Sequence, residues 1–190
     1  KVGDIDVSGL SAQEIEQALD QAYAQPLQQA SATVFASDEA AQQTDEAAAA
    51  QNQQDAALAE QMAVDEAMAS KQAWQTTGAE LGASLDSGQL AQQALAVGRS
   101  DGGVLARMGA GLFGKRIEVE PSFDEGALED FASGIDAAIG QARVDYDVKV
   151  SGGVAYVVQG NDGWEVNRQT LAGLLGDAML GFSDGRIVAH

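Results

Sequence analysis

The chain is constrained above all by its own repetition. Ile5-Asp6-Val7 leads into Ser11-Ala12-Gln13-Glu14, the S-x-x-E of a capping box. A helix follows with Ile15, Ala18, Leu19 and Ala22 on one face, spaced three and four apart. Further on, Ile117-Glu118-Val119 leads into Ser122-Phe123-Asp124-Glu125 and a second amphipathic helix striped with Leu128, Phe131, Ile135 and Ile139. The second halves correspond as well. Gly82-Ala83-Ser84-Leu85-Asp86 with Leu90 parallels Gly163-Trp164-Glu165-Val166-Asn167 with Leu171, and Asp86 and Asn167 each stand where a helix N-cap is wanted. An aromatic, Trp74 or Tyr156, stands shortly before each of these glycines. The reading is an α+β fold made of two related strand-helix-strand-strand-helix repeats.

The spacings locate an insertion. Ile5 to Ile117 is 112 positions, whereas Gly82 to Gly163 is 81, so the first copy carries about 31 extra residues. Asp38–Ser70 fills that gap with eight acidic residues, no basic ones, no Gly and no Pro, and otherwise mostly Ala and Gln. Such a segment predicts one long helix or a helical hairpin, with a weak apolar stripe of Ala57, Val64 and Met68 and with Leu58 and Met62 nearby. In the second copy the same place holds a tight turn at Ser151-Gly152-Gly153, between strands at Val144–Val150 and Val154–Gln159. The organisation is therefore 1–100 for the first repeat with its acidic insert at 38–70, a helical connector at 101–114, and 115–190 for the second repeat and the start of a following segment. That segment opens with a strand at Arg186-Ile187-Val188.

Charge and composition narrow the partners. Ten basic against 29 acidic residues give a net charge of −19, a field that repels nucleic-acid phosphates and anionic membrane surfaces. No apolar run approaches the ~20 residues of a membrane span. The absence of cysteine removes disulfides, thiolate metal sites and a cysteine nucleophile. The single histidine, His190, gives a catalytic triad or an imidazole metal site poor support, and no S-x-x-K spacing is present. No catalytic residue, metal or cofactor is expected. A chain that opens on Lys1 and runs straight into Val-Gly-Asp-Ile-Asp-Val is expected to be trimmed from a longer protein.

Several local patterns have plainer readings. Gly109-Ala110-Gly111-Leu112-Phe113-Gly114-Lys115-Arg116 approaches a phosphate loop, but a helical stretch precedes it and a strand follows, the reverse of what amide cradling of phosphate needs. Asp145 and Asp147 share one face of a strand and read as its wet side. Asn161-Asp162-Gly163 reads as a turn, since it lacks the downstream oxygen ligands of a calcium loop. Trp74 and Tyr156 read as core packing. Trp164 is as compatible with stacking on a sugar ring as with the core.

These residues resemble a family. Gly3-Asp4-Ile5-Asp6-Val7-Ser8-Gly9-Leu10-Ser11 with Glu14 and Leu19 is similar to the opening found outside the membrane anchor of VanW/YoaR-like proteins. Trp74, Glu80-Leu81-Gly82-Ala83-Ser84-Leu85-Asp86, Ala94, Val97 and Gly98-Arg99 resemble that family's central segment, and Gly163-Trp164-Glu165-Val166-Asn167 a later one. The resemblance covers most of the chain outside Asp38–Ser70, which departs from the family pattern. It implies a non-catalytic, extracytoplasmic peptidoglycan-binding module of a Gram-positive bacterium. Such a module stands after a transmembrane anchor and positions a downstream VanW-like or L,D-transpeptidase domain. Trp164, Arg99 and Arg168 are the candidate ligand-binding residues. The alternative is an extracellular stalk or protein-interaction domain that uses 38–70 to meet a partner or to self-associate.

Overall fold

The computed structural model describes residues 1–50, 56–100, 116–142, 145, 147–151, 154–158, 162–183 and 186–189, and for 98–100, 147–151, 154–156 and 158 the backbone alone. The fold is α+β, as the sequence predicts. In chain order it contains α1 (Ala12–Leu19), a π-helical turn (Asp20–Ala24), α2 (Gln25–Gln29), β1 (Ser31–Phe35), α3 (Asp38–Ala50), α4 (Ala56–Ala69), β2 (Ala73–Thr77) and α5 (Ser87–Ser100). Then come α6 (Glu125–Ile139), β3 (Asp147–Ser151), β4 (Val154–Val158), α7 (Arg168–Met179) and β5 (Arg186–Val188). Two compact units divide the chain. One comprises Lys1–Ala32, Thr76–Asp124 and Leu175–Gly185, the other Thr33–Gln75, Glu125–Leu174 and Arg186–His190.

The first unit is built on α1. Ser11 caps it as the sequence predicts: the Glu14 amide donates to the Ser11 hydroxyl, and the Glu14 carboxylate accepts from the Ser11 amide at 2.8 Å. The buried face then runs Ile15, Leu19, Tyr23 and Leu27, where the sequence led us to expect Ala22. Ala22 is exposed and Tyr23 replaces it. The reason is Pro26, which has no N–H to give the Ala22 carbonyl and whose ring crowds that group. The helix widens there, and the Gln25 amide donates five residues back to Asp20. Four-residue steps drift by roughly 40° each around a regular α-helix, and the wider turn takes up part of that drift.

Tyr23 has a second task. Its hydroxyl accepts the Asp4 amide at 3.0 Å. Gly3, at φ +54°, lies so close that a Cβ there would sit 2.4 Å from the Tyr23 oxygen. The N-terminal segment folds back at that point, with Val2 and Ile5 exchanging hydrogen bonds of 3.0 Å. The strands expected at Ile5–Val7 and Ile117–Val119 are thereby reduced to single bridges, Val2 to Ile5 and Val2 to Ile117. A chain that reverses at Gly3 has one residue left to pair. Val2, Ile15, Leu19, Tyr23, Leu90, Ala91 and Val119 form the core beneath. Truncating one of its leucines would cost about 2–5 kcal/mol.

The second unit contains the acidic insert. The structure decides between one helix and two: α3 and α4 pack against each other. Their buried residues are small, Ala40, Ala41 and Thr44 on α3 and Ala59, Ala63, Val64 and Ala67 on α4, and Ala40, Ala41 and Ala67 share a cluster with Phe35 and Ala73. The stripe expected at Ala57, Val64 and Met68 is correct only at Val64. Met68 is 37%, Met62 47% and Leu58 51% exposed. Small side chains let the two backbones approach, so the bulky ones are left outside.

The insert enters and leaves at neighbouring strand ends. Strand order is β2-β1-β5, and the Ala36 amide donates to the Gln72 carbonyl at 2.9 Å across the base of the insert. The strand expected at Arg186–Val188 exists. It pairs in parallel with β1, Val34 opposite Ile187. β3 and β4 form the expected hairpin, with Ser151 paired to Val154. The connector 101–114 and the glycine-rich run 109–115 lie outside the described residues, whereas Arg116 pairs with Asp4 at 2.7 Å on the surface of the first unit.

Helix α4 ends in a Schellman motif, with the Lys71 amide bonded to the Met68 carbonyl and the Gln72 amide to the Ala67 carbonyl at 2.8 Å. Lys71 adopts φ +58° to do so, a conformation that an L side chain resists. Lys71→Gly is expected to raise unfolding stability by about 1 kcal/mol, read from the urea midpoint at unchanged slope.

Candidate functional site

Trp164 is placed by a backbone ladder and a helix start. Its amide donates to the Gln141 carbonyl at 2.8 Å, and the Gln141 amide returns the bond at 3.1 Å. Three residues later Asn167 caps α7: its side-chain oxygen accepts the Thr170 amide at 2.9 Å. Asp86 does the same for α5, accepting from Gln89 at 2.7 Å. Both caps are where the sequence puts them. Between ladder and cap the short segment 162–167 has little freedom.

A cleft of about 460 Å³ opens at this segment, lined by Gln141, Ala142, Asp162, Gly163, Trp164 and Glu165. Its volume lies within the range of small-ligand pockets. Trp164 is half-buried, and the lining residues around it are exposed. The wall is thus lined by an indole, an amide and two carboxylates.

Arg168, the next candidate, forms a clamp. Its Nε and one terminal nitrogen bind the Glu129 carboxylate in a two-point fork, at 2.9 and 3.0 Å. The other terminal nitrogen donates to Asp136 at 2.6 Å and to the Val166 carbonyl at 2.7 Å. Asp136 in turn accepts the Val166 amide at 2.7 Å through its second oxygen. Glu129 and Asp136 stand seven residues apart on α6, so both project from one side of the helix. The clamp therefore ties the segment carrying Trp164 to α6.

Electrostatics follow from that geometry. Hydrogen bonds from Arg168, then from Ser133, hold the Glu129 carboxyl below its ordinary value, while Glu129 foremost raises the Arg168 guanidinium above its own. Arg99 belongs to the last turn of α5, and its side chain lies outside the described residues, as does that of Tyr156. Trp74 is half-buried on β2, and Asp145 is exposed. Among the described residues no helix is long and apolar enough to cross a membrane.

Glu129, Asp136, Asp162 and Glu165 were missed in the sequence. In a chain with 29 acidic residues no single carboxylate stands out. The one usable signal was the seven-residue spacing of two acids on a predicted helix, coupled with an arginine directly after an N-cap.

A carboxyl held low by its partners stabilises the fold fully above the ordinary glutamate value of 4.5, and that contribution fades as pH falls through the lowered one. Glu129→Gln is therefore expected to be less stable than the parent at neutral pH. The gap should narrow as pH falls below the ordinary glutamate value, as urea midpoints across that range would show. Glu14 and Asp6, held low by bonds from Ser11 and Ser8, titrate alike in both proteins and cancel in the difference.

Comparison with known proteins bears on the same segment. Residues 74–187 match the family model described as "Putative peptidoglycan binding domain". The match begins at Trp74, four residues past the end of the acidic insert, and takes in the Trp164 cleft and the Arg168 clamp. No curated protein and no solved structure matches the chain. With more than half of its length covered, the chain belongs to this peptidoglycan-binding family and is a cell-wall-binding module.

Proposed function

We propose that this is a non-catalytic module that grips peptidoglycan in the Trp164 cleft and so positions a downstream VanW-like or L,D-transpeptidase domain on the wall. The observation that carries the reading is the coincidence of the family match with a cleft built on a half-buried indole. An indole face stacks on sugar rings and apolar peptide surface alike, and the Asp162 and Glu165 carboxylates accept hydrogen bonds from a ligand's donors. In this reading Trp164 is the contact residue, Arg168 supports it through the clamp, and Arg99 is a further contact. The module works outside the cytoplasm on a Gram-positive cell, anchored by a membrane segment upstream of this chain. Its two halves, 1–100 and 115–190, are copies of one unit joined by the connector 101–114. The matched caps at Asp86 and Asn167 support that view.

The test is co-sedimentation with insoluble peptidoglycan sacculi. The parent chain and a variant with Asp38–Ser70 replaced by a short glycine-containing turn should both sediment in salt. The replacement is geometrically possible because Ala36 and Gln72 already meet. Trp164→Ala should reduce sedimentation about tenfold, the loss of roughly 1.4 kcal/mol of stacking. Failure of both the parent and the insert-free chain to sediment would remove the wall-binding reading.

A second reading has its own observation. The outer face of α4 carries Leu58, Met62 and Met68 exposed, beside Asp65 and Glu66. Bulky apolar groups among carboxylates suit a cationic amphipathic helix, as flexible methionine-rich surfaces do elsewhere. Eight negative charges in 38–70 oppose the approach of a second copy. On this reading the module is an interaction domain or stalk whose insert docks a basic partner. A synthetic lysine- and leucine-rich amphipathic helix should then bind the parent, and weaken with salt. Met62→Gln with Met68→Gln should abolish that binding. A dimer seen by light scattering and lost in the same variant would instead mean self-association.

A further inference from the structure

The lining of the cleft says more about its ligand than that it is wall material. Among the described lining residues, Asp162 and Glu165 carry carboxylates, Trp164 an indole and Gln141 an amide, with no cationic side chain. Arg168 stands only four residues from Trp164, yet its guanidinium is turned to two carboxylates and the Val166 carbonyl. The clamp with Glu129 and Asp136 leaves a net negative charge of its own. The nearest described cation in sequence is thus more than neutralised, and the described lining of the cleft is acidic. The whole chain reinforces this at −19.

Peptidoglycan and its attached polymers present three kinds of group to such a wall. Phosphate-rich polymers are repelled. An uncharged glycan can stack on the indole but gains nothing from two carboxylates beyond ordinary hydrogen bonds. A free amino group on a stem peptide's diamino acid gains from both, since an ammonium is drawn to an indole face and to carboxylates. A cleft of about 460 Å³ also suits a short peptide branch better than a length of glycan strand.

We infer that the Trp164 cleft selects the amino-bearing stem peptide of peptidoglycan, with the ammonium seated over the Trp164 indole between Asp162 and Glu165. The inference rests on the wall-binding reading and names its ligand. The peptide's own carboxylates face solvent, away from the acidic wall.

The experiment uses the full chain in two arms. Calorimetry compares a synthetic stem tripeptide ending in lysine, its Nε-acetylated twin, and chitotetraose. Co-sedimentation compares native sacculi with sacculi whose free amines have been acetylated. The expected result is binding of the lysine tripeptide, at least tenfold weaker binding of its acetylated twin, and loss of sedimentation on acetylated sacculi. Asp162→Asn and Glu165→Gln, both at exposed positions, should each weaken tripeptide binding severalfold without altering the melting temperature. Equal binding of both peptides, binding of chitotetraose alone, or undiminished sedimentation on acetylated sacculi would overturn the ligand assignment while leaving wall binding intact. A chain that sediments with neither preparation overturns both.

Discussion

Strand β1 carries the three-stranded sheet, because it is paired along both edges. β2 lies on one side and β5, from the far end of the chain, on the other. A strand edge left open exposes backbone donors and acceptors that cost free energy unless paired. Here β5 closes one edge over only three residues, Arg186–Val188, in parallel register. A parallel neighbour demands a crossover connection rather than a tight turn, and here that connection spans most of the chain. The same pairing fixes where the acidic insert stands. Since β1 and β2 are neighbours, the 33 residues of Asp38–Ser70 leave and return at adjacent points, and an insertion at such a place disturbs little of the backbone around it.

Packing in the insert is of a different kind from that in the first unit. Around α1 the core is made of Ile15, Leu19, Tyr23 and Leu90, side chains large enough to supply most of their stabilisation by burial. The residues that α3 and α4 bury are mostly alanine. Alanine buries little area but costs no side-chain entropy and has the highest helix propensity. Such a hairpin is held by propensity and close backbone approach as much as by the hydrophobic effect. Its bulky apolar residues consequently remain on the outside, next to carboxylates.

At the site, position matters more than reactivity. Nothing in the Trp164 segment is strained or chemically activated; what distinguishes it is restraint. Gln141 fixes it from one side, the Asn167 cap from the other, and Asp136 and Arg168 hold Val166 by both its amide and its carbonyl. Binding that relies on stacking and a few hydrogen bonds gains from such preorganisation, because less freedom is lost when the ligand arrives. The clamp also removes a cation from the electrostatic balance of the wall, so one set of contacts serves both shape and charge.

Local signals in the sequence determined the helix starts at Ser11, Asp86 and Asn167, the place and helicity of the insert, the hairpin at β3 and β4, and the family. Each of these depends on residues within a few positions of one another: a cap needs its acceptor three residues before its donor, and a two-residue gap between strands is written in consecutive letters. Tertiary structure alone decided the rest. The partners that Tyr23 meets on the buried face of the first helix, the Asp4 amide at its hydroxyl and the Phe182 ring at its edge, come from distant parts of the chain. The reversal at Gly3 reduced two expected strands to single bridges. The outward turn of Met62 and Met68 followed from how closely two alanine faces could approach. The engagement of Arg168 with Glu129 and Asp136 depended on bringing α6 beside the start of α7. An arginine's surroundings span 39 residues of chain here, and no local pattern specifies which of many carboxylates will be waiting at the other end.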